Sequence, residues 1–238
     1  GRVRLLIDDD GDGKFDRSFV FAEGLSWPTG ICCWQGGVYV TATPDIWYLK
    51  DTDGDHRADI RRKVFTGFRK YNVQTAINNP LWSFDNRITV VTSSNGGQIT
   101  TVGAAELGSL KITGRDLRFD PRAERLETSA GGAGRFGKSF DDWGNRFICS
   151  ANNPAFHIVF DGTQAGRNPF LSAPNPVHDL RVTSGTLPVI RISPLEPWRV
   201  IQAGRWVAAK DTVPRKELTA GGVVTSASGI TLYRGAAY

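Results

Sequence analysis

Several residue types that mark familiar protein classes are absent from this chain or scarce in it. Its 238 residues contain no methionine, three histidines and three cysteines. Cys32 and Cys33 are adjacent and Cys149 stands alone, which gives neither a disulfide framework nor the C-x-x-C-H pattern of an attached haem. All three lie in apolar, strand-like stretches, so we interpret them as buried free thiols.

Long apolar runs and one-sided charge are also missing. No stretch approaches the length of a transmembrane helix, and the first residues do not resemble a signal peptide. The net charge is +5, but the 29 basic residues are scattered among 24 acidic ones. Without a basic stripe, nucleic acid is not expected as a partner. The chain begins in a strand-like run without a methionine, so we interpret it as a piece of a longer protein.

The residues that are plentiful are those of a β-protein. The chain contains 27 glycines, 12 prolines and 11% aromatic residues, with no long amphipathic periodicity. This composition predicts many short strands joined by turns. The hydrophobic fraction of 40% is enough for a sizeable core. We therefore expect an all-β fold.

An acidic loop that occurs twice is the most informative feature of the chain. Asp8–Asp16 has the sequence DDDGDGKFD, and Asp51–Asp59 has the sequence DTDGDHRAD, 43 residues later. Carboxylates at loop positions 1, 3, 5 and 9, with a backbone carbonyl at position 7, are ligands of the kind that Ca²⁺ prefers. The alternative is an Asp- and Gly-rich turn that only solvates a hairpin. The predicted ligands are Asp8, Asp10, Asp12, Lys14 (carbonyl) and Asp16, and then Asp51, Asp53, Asp55, Arg57 (carbonyl) and Asp59.

These loops are not EF-hands. The position that a bidentate Glu occupies in an EF-hand holds Phe19 and Arg62 here, and the flanking runs are strand-like. Position 6 is Gly13 in the first loop and His56 in the second. We expect His56 to adopt a left-handed backbone, which His tolerates better than most residues.

The spacing of the two loops also predicts an architecture. A period near 43 residues with strand-like flanks has the size of one four-stranded propeller blade. We predict a single domain, 1–238, that is a partial β-propeller of about four blades, with a long loop insertion at about 161–188. The clearest blade has strands at Gly30–Trp34, Gly37–Thr41, Asp45–Leu49 and Lys63–Phe65; other strand-like runs include Val3–Ile7, Phe19–Ala22, Trp198–Ile201 and Gly229–Arg234.

Two further patterns suggest chemistry on weaker grounds. Gly132–Ser139 matches the phosphate-loop pattern G-x-x-x-x-G-K-S, but a turn and a strand are predicted after it rather than the helix that such a loop needs. We therefore do not expect nucleotide binding there. His178 and Asp179 are weak candidates for a catalytic acid–base pair, the alternative being a solvated histidine in a loop.

Five short segments of the sequence are distinctive: Gly24–Gly30 (GLSWPTG), Pro44–Asp55 (PDIWYLKDTDGD), Asn72–Gln74 (NVQ), Gly137–Gly144 (GKSFDDWG) and Tyr233–Gly235 (YRG). With them, essentially the whole chain resembles one bacterial propeller family. The family is labelled membrane-bound dehydrogenase, is of the planctomycete and verrucomicrobial type, and is similar to glucose/sorbosone dehydrogenase propellers.

The resemblance implies an extracytoplasmic protein that oxidises a sugar or an alcohol with pyrroloquinoline quinone and passes electrons to a cytochrome c module. Sugar dehydrogenases of this kind use a His base in a segment before a hairpin turn, and the corresponding residues 72–79 contain no His. The candidate cofactor-binding residues are Arg69, Asn72, Gln74, Asn95, Asp141, Asp142 and Arg234. An alternative role for Asp141 and Asp142 is plain turn formation.

Two functions are compatible with these observations. The first is a dehydrogenase-like propeller that carries out quinone-dependent oxidation of a sugar or an alcohol. The second is a non-catalytic, calcium-stabilised propeller that binds carbohydrate or a protein partner. The family resemblance favours the first, which is the function expected from the sequence, and the missing His favours the second as the alternative.

Overall fold

Short β-strands are the main regular elements in the described part of the chain. The computed structural model describes residues 1–131, 134–135, 137–161, 168, 170, 172, 174–181, 187–190, 194, 197–208, 221–224 and 227–235. The strands are β1 Arg2–Ile7, β2 Arg17–Glu23, β3 Pro28–Trp34, β4 Gly37–Ala42, β5 Asp45–Lys50, β6 Ile60–Phe68, β7 Asn78–Trp82, β8 Ile88–Val91, β9 Gly97–Thr101, β10 Ser109–Lys111, β11 Asp116–Asp120, β12 Arg125–Ser129, β13 Lys138–Phe140, β14 Arg146–Ser150, β15 Asn153–Ile158, β16 Val177–Asp179, β17 Pro188–Ile190 and β18 Gly221–Val223; the described helix, α1, is Pro197–Ala208.

These strands form several antiparallel sheets. Strands β1 and β2 form a two-stranded sheet, and a six-stranded sheet has the order β10-β9-β6-β5-β4-β3. Two four-stranded sheets follow, with the orders β12-β11-β8-β7 and β13-β14-β15-β16, and β17 pairs with β18. The all-β fold expected from composition is therefore confirmed.

The predicted four-strand unit is present as β3 to β6. Each strand pairs with the next one in antiparallel register, as a meander of short strands joined by turns should. The last strand is longer than predicted: β6 covers Ile60–Phe68 rather than Lys63–Phe65. Its outer side is paired with β9, which belongs to a hairpin that the sequence did not predict.

Two glycines allow β9 to approach β6 closely. Gly67 has φ +109°, and a Cβ there would lie 2.1 Å from the carbonyl oxygen of Gln98. Gly97 faces it from the other strand, and a Cβ there would lie 2.4 Å from the carbonyl oxygen of Gly67. Only glycine fits at such backbone separations.

The main core lies between the six-stranded sheet and the first four-stranded sheet. Tyr39, Phe65 and Phe119 are buried there, with ring centroids 5.1 Å apart for Tyr39–Phe119 and 4.9 Å apart for Phe65–Phe119. The Tyr39 hydroxyl donates a hydrogen bond to the carbonyl of Pro121 at 3.2 Å, which ties the two sheets together. A smaller cluster around Val40 and Leu49 packs the β1–β2 sheet against the other face of β4 and β5.

The antiparallel meanders place the strand connections at two ends of the sheets. One end carries both acidic loops and the turns that follow β3, β7, β11 and β13, and we call it the acidic-loop edge. The opposite edge carries the segments that follow β4, β6, β8, β12 and β14.

Three predictions about elements were wrong. Trp198–Ile201, predicted as a strand, lies in α1, whose first residue is Pro197; proline is favoured at a first helical position because its fixed φ suits the helix. Gly229–Arg234 is not a strand, although the N–H of Leu232 donates to the Ser139 hydroxyl at 3.1 Å. His178 and Asp179 lie on β16 rather than in a loop.

Half of the predicted insertion at 161–188 lies outside the described residues, at 162–167, 169, 171, 173 and 182–186. Neither the twelve-residue α1 nor any other helix in the described ranges has the length and hydropathy of a membrane span.

Candidate metal centres and polar sites

The first acidic loop brings three of its carboxylates together. One oxygen from each of Asp8, Asp10 and Asp16 lies within 4.8 Å of the others. The Asp8 carboxylate accepts hydrogen bonds from the backbone N–H groups of Gly11 at 2.7 Å and Gly13 at 2.9 Å, which curls the loop around it. The chain folds this way because both glycines have positive φ, +75° and +87°.

The second acidic loop repeats this arrangement. Asp51, Asp53 and Asp59 each offer an oxygen within 4.8 Å of the others. The Asp51 carboxylate accepts from the N–H groups of Gly54 at 2.7 Å and His56 at 2.9 Å. The pKa of Asp51 is lowered because these donors favour its charged form, and the Gly54 N–H contributes most to this effect. Two loops with different sequences therefore share one hydrogen-bonding pattern.

The remaining predicted ligands lie beside these groups. Asp12 accepts from the backbone N–H of Lys14 at 2.7 Å and from its ammonium at 3.1 Å, and Asp55 accepts from the N–H of Arg57 at 2.8 Å. Neither Asp12 nor Asp55 belongs to the three-carboxylate groups found among the described residues. Each loop therefore gathers three of its four predicted carboxylates.

The three gathered carboxylates fit a hard divalent cation. They are partly or fully exposed, provide only oxygen donors, and carry like charges that repel at this separation. Ca²⁺ would be held by Asp8, Asp10 and Asp16 in the first loop and by Asp51, Asp53 and Asp59 in the second. It would supply the positive charge that these carboxylates lack.

His56 has the left-handed backbone expected from its position. Its φ is +69°, close to the +87° of Gly13 at the same place in the first loop. The His56 ring lies against Phe19 of β2, with ring centroids 4.4 Å apart. The side chain therefore connects the second loop to the hairpin that carries the first.

Four of the seven predicted cofactor-binding residues lie together on the opposite edge. The Asn72 side-chain oxygen accepts from the Gln74 N–H at 2.9 Å, and the Asn95 amide donates to the Asn72 carbonyl at 2.9 Å. The N–H of Arg69 donates to the carbonyl of Gly96 at 3.1 Å. Arg135, which the sequence did not single out, donates to the Gln74 side chain at 3.0 Å. These amides hold the loop itself together.

The other three predicted residues lie on the acidic-loop edge. Asp141 accepts from the N–H groups of Trp143 at 3.0 Å and Asn145 at 2.8 Å, which is the turn-forming role considered as its alternative. Asp142 pairs with Arg234 at 3.1 Å. The seven residues therefore form two groups on opposite edges. As described, they do not fit one quinone site.

His178 and Asp179 do not form an acid–base pair. Neighbouring residues on a strand direct their side chains to opposite faces. The Asp179 carboxylate instead accepts from the Asn153 amide at 2.7 Å and from the Arg181 guanidinium at 2.9 Å. The hydrogen bond from Arg181 is the main reason that the pKa of Asp179 lies below its usual range.

A cavity of about 480 Å³ lies where β3 and β7 meet. Gln74 is the one predicted site residue among its described lining residues, none of which carries a titratable side chain. The described walls therefore offer hydrogen-bonding groups but no general base. The described lining residues are Thr29, Gly30, Ile31, Val73, Gln74, Ala76, Asn78, Asn79, Pro80, Gly137 and Gly229.

Lys138, from the phosphate-loop pattern, lies on strand β13 rather than at the start of a helix. It is 3% exposed, and its ammonium has no hydrogen-bond partner among the described residues. Burial lowers its pKa well below the usual value. Gly132, Ala133 and Phe136 of the pattern lie outside the described residues.

Comparison with known proteins adds a family but no activity. No curated protein and no solved structure matches the chain. One family model matches it from residue 1 to residue 238. The chain therefore belongs to the family described as Domain of unknown function (DUF7133).

Proposed function

We propose that this chain is a calcium-stabilised β-propeller domain that binds a ligand without converting it. The observation that carries the proposal is the pair of acidic loops, in which two different sequences gather the same three carboxylates around the same backbone N–H donors.

The charge on these loops supports calcium. Three carboxylates with oxygens within 4.8 Å of one another repel unless a cation lies between them. Exposed sites of this kind match the weak calcium sites of extracellular modules, with dissociation constants of about 10⁻⁴–10⁻³ M. An extracytoplasmic location, as the sequence resemblance implies, would provide calcium at that concentration.

The order of the sheets supports a propeller. Strands β3 to β6, then β7, β8, β11 and β12, then β13 to β16 each form a consecutive antiparallel set, and β3 contacts β7 across neighbouring sheets. In a propeller these would be three blades with β3, β7 and β13 as their inner strands, and the β1–β2 sheet would be the outer half of a preceding blade.

The polar sites support binding rather than catalysis. The described lining of the cavity between β3 and β7 contains no titratable side chain, and Asp179 is occupied by Asn153 and Arg181. Amide and hydroxyl groups recognise a polar ligand through paired donors and acceptors, but they do not accept a proton at neutral pH.

Quinone-dependent oxidation of a sugar or an alcohol is the second candidate, with a cytochrome c module as electron acceptor. The observation that favours it is the sequence resemblance to dehydrogenase propellers, which includes Asn72–Gln74 and Gly137–Gly144. The division of the predicted cofactor residues between two edges is why we place it second.

Calorimetric titration of the chelator-treated chain with Ca²⁺ tests the proposal. We expect binding at about two sites, and we expect Asp8→Asn to weaken the first site about tenfold because one of its three gathered negative charges is lost. Asp9→Asn is the matched control, because Asp9 lies outside the three-carboxylate group and pairs with Arg17 at 2.6 Å.

A second titration, of the calcium-loaded chain with pyrroloquinoline quinone, separates the two candidates. Calcium binding without quinone binding supports a binding domain, and tight quinone binding would favour the dehydrogenase candidate. Failure to bind calcium, or equal weakening by Asp8→Asn and Asp9→Asn, would refute the calcium centres.

A further inference from the structure

Two neighbouring clefts on the acidic-loop edge combine aromatic rings with hydrogen-bonding groups. Their volumes are about 480 and 330 Å³, and Asp85 lines both. Pockets of about 300–1,000 Å³ suit small-molecule ligands. The clefts therefore form one interrupted groove that runs past the turns after β3, β7, β11 and β13.

Two indole rings form one wall of the larger cleft. The ring centroids of Trp34 and Trp82 are 5.3 Å apart, and both side chains are half-buried, which fixes their orientation. The Arg122 guanidinium lies 6.0 Å from the centroid of the Trp34 ring. Asp120 and Arg87 complete the polar side of this cleft.

Exposed rings from two turns border the smaller cleft. Phe84 is 63% exposed and Trp143 is 85% exposed, and both line the same cleft. A Cβ at Gly144 would lie 3.5 Å from the Phe84 ring, so this ring lies against the backbone of the neighbouring turn. The Phe84 ring is therefore available to a ligand at a reduced ordering cost.

The floor of the smaller cleft is a network of ion pairs. The Arg118 guanidinium lies 3.3 Å from Asp85 and 2.9 Å from Asp161, and it also contacts Glu127 at 3.1 Å. Arg87 pairs with Glu127 as well. Carboxylate oxygens that are already neutralised still have lone pairs for hydroxyl donors, and guanidinium N–H groups can donate to hydroxyl oxygens.

We propose that the two clefts together bind a neutral oligosaccharide. The apolar face of a sugar ring packs on an aromatic ring, and its hydroxyl groups pair with planar polar side chains of the kind found along this groove. Because Arg87 and Arg118 are held by carboxylates, an anionic ligand would have to break ion pairs to reach either of them, and the Arg122 guanidinium lies beside the Trp34 ring. The inference rests on the proposed binding function and assigns its site and its ligand class.

Affinity electrophoresis of the calcium-loaded chain through gels containing neutral polysaccharides tests this site. The probes are hydroxyethyl cellulose, xylan, galactomannan, dextran and soluble starch, with alginate as an anionic probe and a polysaccharide-free gel as reference. We expect retardation by at least one neutral polysaccharide, and an at least tenfold weaker interaction for Trp143→Ala and Phe84→Ala. Tyr71→Ala is the matched control, because Tyr71 is 89% exposed but lies outside both clefts.

The outcomes separate this inference from the proposed function. Calcium binding with no retardation by any neutral polysaccharide overturns the oligosaccharide site and leaves the calcium centres standing. Retardation that is lost in both cleft variants, in a chain that does not bind calcium, supports the oligosaccharide site and refutes the calcium centres. Retardation by alginate alone would overturn the proposal, and so would equal effects of Trp143→Ala and Tyr71→Ala.

Discussion

The side chain of Lys138 is buried, and no described acceptor lies within hydrogen-bonding distance of its amine. Burial is the main influence on its pKa, which falls well below the usual value of 10.5; attraction by Asp116 works in the opposite direction, and Arg146 reinforces the fall. An amine buried in this way makes the free energy of unfolding depend on pH.

We expect Lys138→Met to raise the free energy of unfolding at pH 7.5 by about 1–3 kcal/mol, because the cost of burying an amine without a hydrogen bond, the largest influence on Lys138, outweighs the attraction to Asp116 that the variant also loses. The folded pKa lies below the unfolded one, so the unfolded chain binds the proton more readily and the wild type loses stability as pH falls below about 10. Urea unfolding at pH 6, 7.5 and 9 measures both effects. An unchanged pH slope in the variant would show that Lys138 is not its source.

His56 occupies a backbone conformation that suits glycine, and its ring contact with Phe19 gives a reason for the side chain. We expect His56→Ala to lower the free energy of unfolding, because it keeps the strained backbone and loses the ring contact. His56→Gly should be more stable than His56→Ala by about 1–2 kcal/mol, since glycine has no Cβ to clash at positive φ. Urea unfolding at saturating calcium tests the difference, and an alanine variant equal to the glycine variant would contradict it.

The candidate site could be predicted from sequence only where it is local. Asp8, Asp10 and Asp16 are close in sequence, so alternation along a tight loop is enough to bring them together. Phe84 and Trp143 were missed because their exposure and proximity depend on how two sheets pack side by side, which sequence spacing does not encode. For the same reason, Asp141 was grouped with residues that lie on the other edge.

At the scale of elements, the β9–β10 hairpin shows how one sheet gains strands from a later part of the chain. The hairpin lies in sequence between β8 and β11, which belong to one sheet, but its strand β9 pairs with β6 of another sheet. Strands β3 to β6 were predictable, because alternating apolar residues and turn signals specify a meander locally. The hairpin was not predictable, because its pairing depends on the close approach of Gly67 and Gly97. Helix α1 was missed because its short β-branched run also fits a strand.

Gly67→Ala should therefore disrupt the pairing of β6 with β9. The added Cβ would lie 2.1 Å from the Gln98 carbonyl oxygen, and we expect a loss of about 3 kcal/mol in the free energy of unfolding. Gly103→Ala is the control, because Gly103 also has positive φ but a Cβ there would meet no other atom within 4 Å, so only about 1 kcal/mol should be lost. Hydrogen exchange should speed up in 97–111 in the first variant, and equal losses in both variants would exclude a role for close approach.

At the scale of the whole molecule, the acidic loops link the β1–β2 sheet to the rest of the protein. The N–H of Ala58, in the second loop, donates to the carbonyl of Phe21 in β2 at 2.9 Å, and His56 contacts Phe19 of the same strand. A two-stranded sheet has little core of its own, so these contacts and the small apolar cluster around Val40 hold it in place.

If calcium occupies the acidic loops as proposed, its removal should loosen the molecule from this end. We expect a chelator to raise hydrogen exchange in residues 1–23 and 51–62, while 88–91 and 117–119, in the main core, keep their protection. Hydrogen-exchange mass spectrometry with and without chelator makes the comparison. A uniform rise across all four regions would mean that calcium stabilises the whole fold rather than one part of it.

The pairing of β9 with β6 also changes what the six-stranded sheet presents to other molecules. Strand β6 would otherwise end the sheet with nine residues of unpaired backbone, a ready template for strand addition by a second chain. With the hairpin paired to Phe65–Phe68 of β6, this part of the sheet ends at β10, which has three residues and includes Lys111. Short edge strands with a lysine discourage intermolecular pairing, so the inserted hairpin protects this part of the sheet edge against strand addition.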